Sequence, residues 1–192
     1  MIEAKKYSVA EYLDIESRSI EKLEYYDGTI TPPPSQLRGR TITHNRIARN
    51  VLGELGKALS SKPAFEIFGS DQKVYLPKFN FYLYPDAVVV AGQPLQVERQ
   101  AEAIINPILI VEVLSKSTKN YDSGLKFIEY KSLPSFKEYV LLRQDTAEAS
   151  TMLREAPDVW HSYEVEGLDK ELWFRTIDER VPMGRIYDRV VF

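Results

Sequence analysis

A chain of 192 residues, 44% hydrophobic and 28% charged, has the size and balance of one soluble globular domain with a real core. Cysteine is absent, which excludes disulfides, thiolate metal sites and cysteine nucleophiles. A net charge of −3 argues against a protein that coats nucleic acid by bulk electrostatics, though not against one with a local basic strip. Residues 1–6 lead into no apolar h-region and no apolar run approaches a membrane span, so a soluble, cytoplasmic single domain over residues 1–192 is expected.

Ser8 and Glu11 have the form of a capping box ahead of a short helix with Tyr12, Leu13 and Ile15 as its apolar positions. Residues 23–30 read as a hairpin turning on Asp27-Gly28, with Glu24 on its first strand, where most glutamates face solvent. Thr31-Pro32-Pro33-Pro34-Ser35 makes a stiff loop. Residues 41–60 hold the longest helical pattern, with Ile47, Val51, Leu52, Leu55 and Leu59 in one stripe. Arg38, Arg40, His44, Arg46, Arg49 and Lys57 gather here; they suit phosphate contacts, and a solvated helix face accounts for them equally well. His44, near the helix start, is a candidate catalytic or substrate-binding group, with a structural histidine as the alternative. Residues 64–68 and 72–76 read as two strands joined by Gly69-Ser70-Asp71, and residues 77–80 as a turn.

Two apolar, β-branched runs follow, residues 84–90 and 107–115, and each carries a carboxylate that a buried strand does not tolerate without cause. Asp86 opens the first run, and Glu112 sits among apolar neighbours in the second. A Pro-Asp pair is also a turn signal, and a buried glutamate is also explained by a salt bridge. Together, on neighbouring strands, the two carboxylates make a hard-oxygen site for a divalent cation that leaves room for phosphate oxygens. The polar stretch between the runs has room for a loop and one short helix.

Beyond Ser115, residues 116–120 form a polar turn and residues 121–133 an amphipathic helix with Leu125, Ile128 and Tyr130 as apolar members. Asp122 and Lys126 share a face of it, either as an ordinary ion pair or with Lys126 leaning back toward the carboxylates. Residues 138–142 read as a buried strand, and residues 149–154 and 159–165 as an antiparallel pair at the sheet edge. Trp160 and Trp173 are expected to close the core, and residues 182–187 to make a helical turn before Val190-Val191-Phe192.

Glu24-Tyr25-Tyr26-Asp27-Gly28, His44-Asn45-Arg46-Ile47, Tyr84-Pro85-Asp86, Val111-Glu112-Val113-Leu114-Ser115 and Tyr121-Asp122 with Lys126 occur in the order that marks one family, as do Lys137-Glu138-Tyr139-Val140 and Ile186-Tyr187. Over nearly its whole length the chain resembles the bacterial restriction-endonuclease-like family of the PD-(D/E)XK nuclease superfamily. The resemblance implies an α/β fold: a mixed β-sheet flanked by α-helices, with an N-terminal hairpin and a C-terminal antiparallel extension. It implies Asp86 and Glu112 as magnesium (or manganese) ligands, Glu24 and His44 lining the site, and Lys126 as the site's lysine. The superfamily pattern puts that lysine two positions after the glutamate, where this chain has Leu114, and Lys116 stands where the family has a proline. The implied activity is metal-dependent hydrolysis of phosphodiester bonds in nucleic acid, DNA ahead of RNA, by a homodimer joined at an exposed edge strand. The competitors are a catalytically silent nuclease fold that binds nucleic acid or a protein partner, and a hydrolase of small phosphoesters.

Overall fold

The computed structural model describes residues 5–33, 41–97, 102–114 and 124–192. Helix α1 (Val9–Arg18) starts at the capping box: the Ser8 hydroxyl accepts the Glu11 N–H at 3.2 Å, and the Glu11 carboxylate accepts the Ser8 N–H at 2.8 Å. Strands β1 (Glu24–Tyr26) and β2 (Thr29–Thr31) form the expected hairpin, with Asp27 at φ 41° and Gly28 at φ 100°. Positive φ at both turn positions is what a tight two-residue hairpin requires. Thr41 caps α2 (Ile42–Leu59) through the His44 N–H at 3.0 Å, and Ile47, Val51, Leu55 and Leu59 are buried along it.

Next come β3 (Phe65–Gly69), β4 (Val74–Leu76), β5 (Phe81–Leu83), β6 (Ala87–Ala91), β7 (Pro107–Leu114), α3 (Lys126–Tyr130), β8 (Glu138–Arg143), β9 (Glu148–Ala156), β10 (Val159–Glu166), β11 (Glu171–Phe174), β12 (Glu179–Pro182) and α4 (Met183–Ile186). Six of these strands form the central sheet in the order β10-β9-β8-β7-β6-β3. Among the described strands only β7 and β8 run parallel, so the sheet is mixed. A parallel pair needs a crossover, and the chain between β7 and β8 supplies it, carrying α3.

Side-chain alternation divides the core. Ala87, Val89, Leu109, Val111, Val113, Val140 and Leu142 face α2 and the C-terminal segment. Val88, Val90, Ile110, Leu114, Tyr139 and Leu141 face the opposite way, against Val74, Leu76, Leu83, Tyr130, Leu133 and Phe136. On that side lies a second sheet of four strands, ordered β2-β1-β5-β4. Its outer face sets Tyr25, Tyr82 and Tyr75 side by side in register, Tyr75 stacked on Tyr82 and Tyr25 edge-on to it, with Tyr12 of α1 stacked on Tyr25 and tilted against Tyr82. Burial pushes the Tyr82 hydroxyl up to about 12.

Several expectations need correction. The hairpin is half of the four-stranded sheet, because β5, unforeseen, pairs with both β1 and β4. Strand β4 therefore belongs to this sheet and not to the central one. Between β6 and β7 the described residues hold no helix; Ile104 instead bridges Val74 and Gln96. Helix α3 ends at Tyr130, short of residue 133, and Leu125 and Ile128 are exposed, leaving Tyr130 as the buried apolar member; residues 121–123 lie outside the described residues. Trp160 does pack on the core, against Phe127 and Phe136. Trp173 does not: it is half-buried, with the guanidinium groups of Arg175 and Arg180 4.6 and 4.3 Å from its ring. The C-terminal extension includes a second hairpin, β11–β12, and residues 190–192 form no strand. Pro34, Ser35, Arg38, Arg40, Ser115, Lys116 and Asp122 lie outside the described residues. No described helix is long and apolar enough to cross a membrane.

Glu138, fully buried at the start of β8, fastens that C-terminal hairpin to the sheet. Its carboxylate oxygens accept the N–H groups of Arg175 at 3.0 Å and Thr176 at 2.8 Å. Burial lifts its pKa above the ordinary 4.5, while the bonds from Thr176 and Arg175 and the Arg175 charge pull it down. A group with a raised folded pKa contributes its full stability below the unfolded value and loses it as pH rises through the folded value. The melting-temperature gap between wild type and Glu138→Gln is therefore expected to widen as pH falls from neutrality to 4.5. A gap that narrows over that window contradicts the assignment.

Candidate metal centre at the end of the central sheet

Strands β6 and β7 pair antiparallel with Ala87 opposite Val111 at the end of the ladder; Asp86 directly precedes that pair and Glu112 directly follows it, so the register carried one step past β6 would bring the two carboxylates opposite each other. Directly opposed residues of an antiparallel pair project from the same face, with Cβ atoms about 5 Å apart. At this step the ladder is carried by a side chain: Asp86 Oδ2 accepts the Val113 N–H at 2.9 Å. The carboxylate thus completes the backbone bonding of β7 while sitting where the two strands part.

Each carboxylate has a nitrogen base beside it. Lys126, the first residue of α3, donates to Glu112 Oε1 at 2.8 Å, and the Tyr130 hydroxyl stands 3.4 Å from the same oxygen. The helix is only five residues long, so packing holds it in place: Phe127 stacks on Tyr139, and Arg154 donates to the Lys131 and Pro134 carbonyls at its end. On the other side His44 Nε2 lies 3.2 Å from Asp86 Oδ2. Glu24 joins through the backbone. Its Oε1 accepts the Tyr84 N–H at 3.0 Å, two residues before Asp86, and its Oε2 accepts the Tyr26 hydroxyl at 2.6 Å.

All five residues singled out in the sequence are buried: Glu24 is 0% exposed, His44 2%, Lys126 4%, and Asp86 and Glu112 each 5%. Four of them make two contact pairs, Asp86 with His44 and Glu112 with Lys126, and the strand register links the pairs. Glu24 is further back, a buckle on the segment leading into Asp86. These groups carry a net charge of −2, or −1 with the imidazole protonated. Buried charge is costly unless it is paired, hydrogen-bonded or bound to a cation.

Among the described residues no three His, Asp or Glu side chains are already gathered as a ligand cluster. Magnesium needs no such cluster, since it binds through one or two carboxylates and completes its octahedron with water and substrate oxygens. Two opposed, buried carboxylates fit that demand.

Sequence reasoning missed Tyr84, Glu16 and Tyr130. The Tyr84 hydroxyl donates to Glu16 of α1, which also pairs with Lys73 at 2.5 Å, so the segment before Asp86 is held by ring and backbone alike. Burial, then the bond to Glu16, raises the Tyr84 hydroxyl well above its usual range. Nothing local in the sequence ties Glu16 to Tyr84. Tyr130 had a signal, for it stands four residues after Lys126 and so on the same helix face. Arg49 bonds the neighbouring Asn50 side chain at 2.9 Å and takes no part in the site.

A mixed sheet with its acidic pair at the end of two diverging central strands is the restriction-endonuclease-like α/β fold. It matches the crystal structure of a "putative nuclease belonging to DUF820" from Anabaena variabilis ATCC 29413 with a TM-score of 0.71, covering 96% of this chain and 99% of that one at 13% identity. The chain belongs to the Uma2 family, described as "Putative restriction endonuclease", whose sequence model matches residues 9–179. Two uncharacterised proteins of Synechocystis sp. (strain ATCC 27184 / PCC 6803 / Kazusa) are similar to it. One, sll1609, is 32% identical over 170 residues, 88% of this chain and 93% of its own length. The other, slr1290, is 32% identical over 143 residues, 74% of this chain and 72% of its own.

Proposed function

We propose that this restriction-endonuclease-like protein is a metal-dependent endonuclease that hydrolyses phosphodiester bonds in nucleic acid, DNA ahead of RNA. The observation that carries the reading is the buried pair of carboxylates, Asp86 and Glu112, at opposed positions where β6 and β7 part. Asp86 and Glu112 would hold magnesium or manganese. When bound, the cation supplies a water of lowered pKa and offsets charge on a phosphate oxygen. Lys126 sits within reach of Glu112 and can donate to a phosphate oxygen as negative charge builds there. Asp86, fixed by the Val113 N–H, keeps its oxygens oriented without reorganisation. Glu24 positions this carboxylate through Tyr84.

A second reading, a nuclease-fold module that binds nucleic acid or a protein partner without cutting, is favoured by one observation. Glu112 already has an internal counter-ion in Lys126, so it is partly neutralised without metal. The experiment that separates the two is an assay on supercoiled plasmid, single-stranded DNA, RNA and a small phosphodiester, with magnesium and with chelator. Chelator-sensitive cutting of nucleic acid supports the enzyme; magnesium-independent binding with no cutting supports the silent module. Hydrolysis of the small ester alone moves the substrate class.

A further inference from the structure

The imidazole of His44 is 98% buried (2% exposed), and among the described residues neither ring nitrogen finds a hydrogen-bond partner. A buried polar atom left in that state costs about 1–3 kcal/mol, so it demands an explanation, and a bound cation is a standard one. The Thr41 cap fixes the backbone of His44 at the start of α2, so the ring is delivered to this place by rigid structure. Nε2 is 3.2 Å from Asp86 Oδ2, yet the two make no hydrogen bond, because the direction of the ring nitrogen misses the oxygen.

That combination of short distance and wrong direction is what two ligands of one ion display. Neighbouring ligands of an octahedral cation, each about 2.1–2.2 Å from it, stand about 3.0–3.1 Å apart. The nitrogen's outward direction must then point at the ion, about 45° off the line to the oxygen. A charged imidazolium paired to Asp86 predicts the opposite, an N–H aimed at the carboxylate. Resting on the metal-dependent reading above, we propose that His44 Nε2 is a ligand of the cation held by Asp86, and that this nitrogen shifts the site's preference from magnesium toward manganese. Magnesium takes oxygen donors almost exclusively, whereas first-row divalent ions accept imidazole, and manganese among them accepts carboxylates equally well.

The test uses the full chain labelled with ¹⁵N-histidine and loaded with Mn²⁺, read by pulsed electron paramagnetic resonance, alongside calorimetric titration of Mn²⁺ and Mg²⁺. The chain has two histidines, and the other, His161, is exposed on β10. Bound Mn²⁺ is expected to show a ¹⁵N-sensitive coupling that His44→Gln removes. The same variant should weaken Mn²⁺ binding at least about tenfold, since even partners of a ligand cost that much, and Mg²⁺ binding by less than about threefold. Mn²⁺ that binds wild type, is lost in Asp86→Asn and shows no nitrogen coupling sinks the ligand role while leaving the metal reading intact. A coupling that persists in His44→Gln sinks it too. If wild type binds neither ion, the metal reading itself fails.

Discussion

Asp86→Asn is expected to lose magnesium-dependent cleavage by at least about a thousandfold while its melting temperature stays within a few degrees of wild type. The cation's electrostatic stabilisation amounts to several kcal/mol, and each 1.4 kcal/mol or so is a factor of ten in rate. The asparagine carbonyl can still accept the Val113 N–H that Asp86 Oδ2 now accepts at 2.9 Å, so the end of β7 keeps its bond. What disappears is the charge alone. Calorimetry should show magnesium binding weakened in step with activity. Wild-type cutting by the variant, or cutting that ignores chelator in both proteins, would remove Asp86 from the chemistry and with it the metal-dependent reading.

The parts of this fold that were legible in the sequence are those set by local pattern or by an anomaly within one. Helix α2 was legible because Ile47, Val51, Leu55 and Leu59 recur at helical spacing and a threonine stands at its cap. The β1–β2 hairpin was legible from Asp27-Gly28. Asp86 and Glu112 stood out because carboxylates interrupt β-branched runs that have no other polar member near them. Strand β5 was hidden: three residues between the Asn80 turn and Pro85 carry no period, and their partners β1 and β4 lie far away or across a turn. The β11–β12 hairpin was hidden for a related reason, since its connection is a 3₁₀ turn closed by Asp178 at φ 49°, not a glycine turn. Trp173 shows the limit of residue type as a guide, for a large ring expected in the core packs instead against the guanidinium groups of two arginines.

The site divides along the same line. Which residues are chemically unusual could be read from the chain; which of them touch could not. Lys126 contacts Glu112 because α3 is pinned by Phe127 on Tyr139 and by Arg154 at its far end, and all of those contacts are long-range. Glu24 was singled out as lining the site, and its two oxygens accept bonds from Tyr84 and Tyr26, so it acts on Asp86 through the backbone. Burial of Glu24 follows from β1 lying inside the four-stranded sheet, which depended on the unseen β5.

Glu112→Ala is expected to lose both cleavage and stability, and the two losses can be separated by a second change at Lys126. The pair is 2.8 Å apart with side chains 5–6% exposed. Removing one member of such a buried pair costs about 3–5 kcal/mol, because the remaining charge keeps its desolvation penalty without this partner. Replacing both by neutral groups of similar shape removes the penalty, so Glu112→Gln with Lys126→Met should regain most of the stability. It should regain none of the cleavage. Lys126→Met alone should slow turnover and leave magnesium affinity unchanged or tighter, since Glu112 is then released from its ammonium to the cation. Denaturant unfolding of wild type, Glu112→Gln, Lys126→Met and the double variant measures the coupling, expected at more than about 1 kcal/mol for contacting charges. Additive stabilities would show that the ion pair is not formed in solution. Cleavage by the double variant would show that neither residue belongs to the reaction, and the carboxylate opposite Asp86 would then be structural.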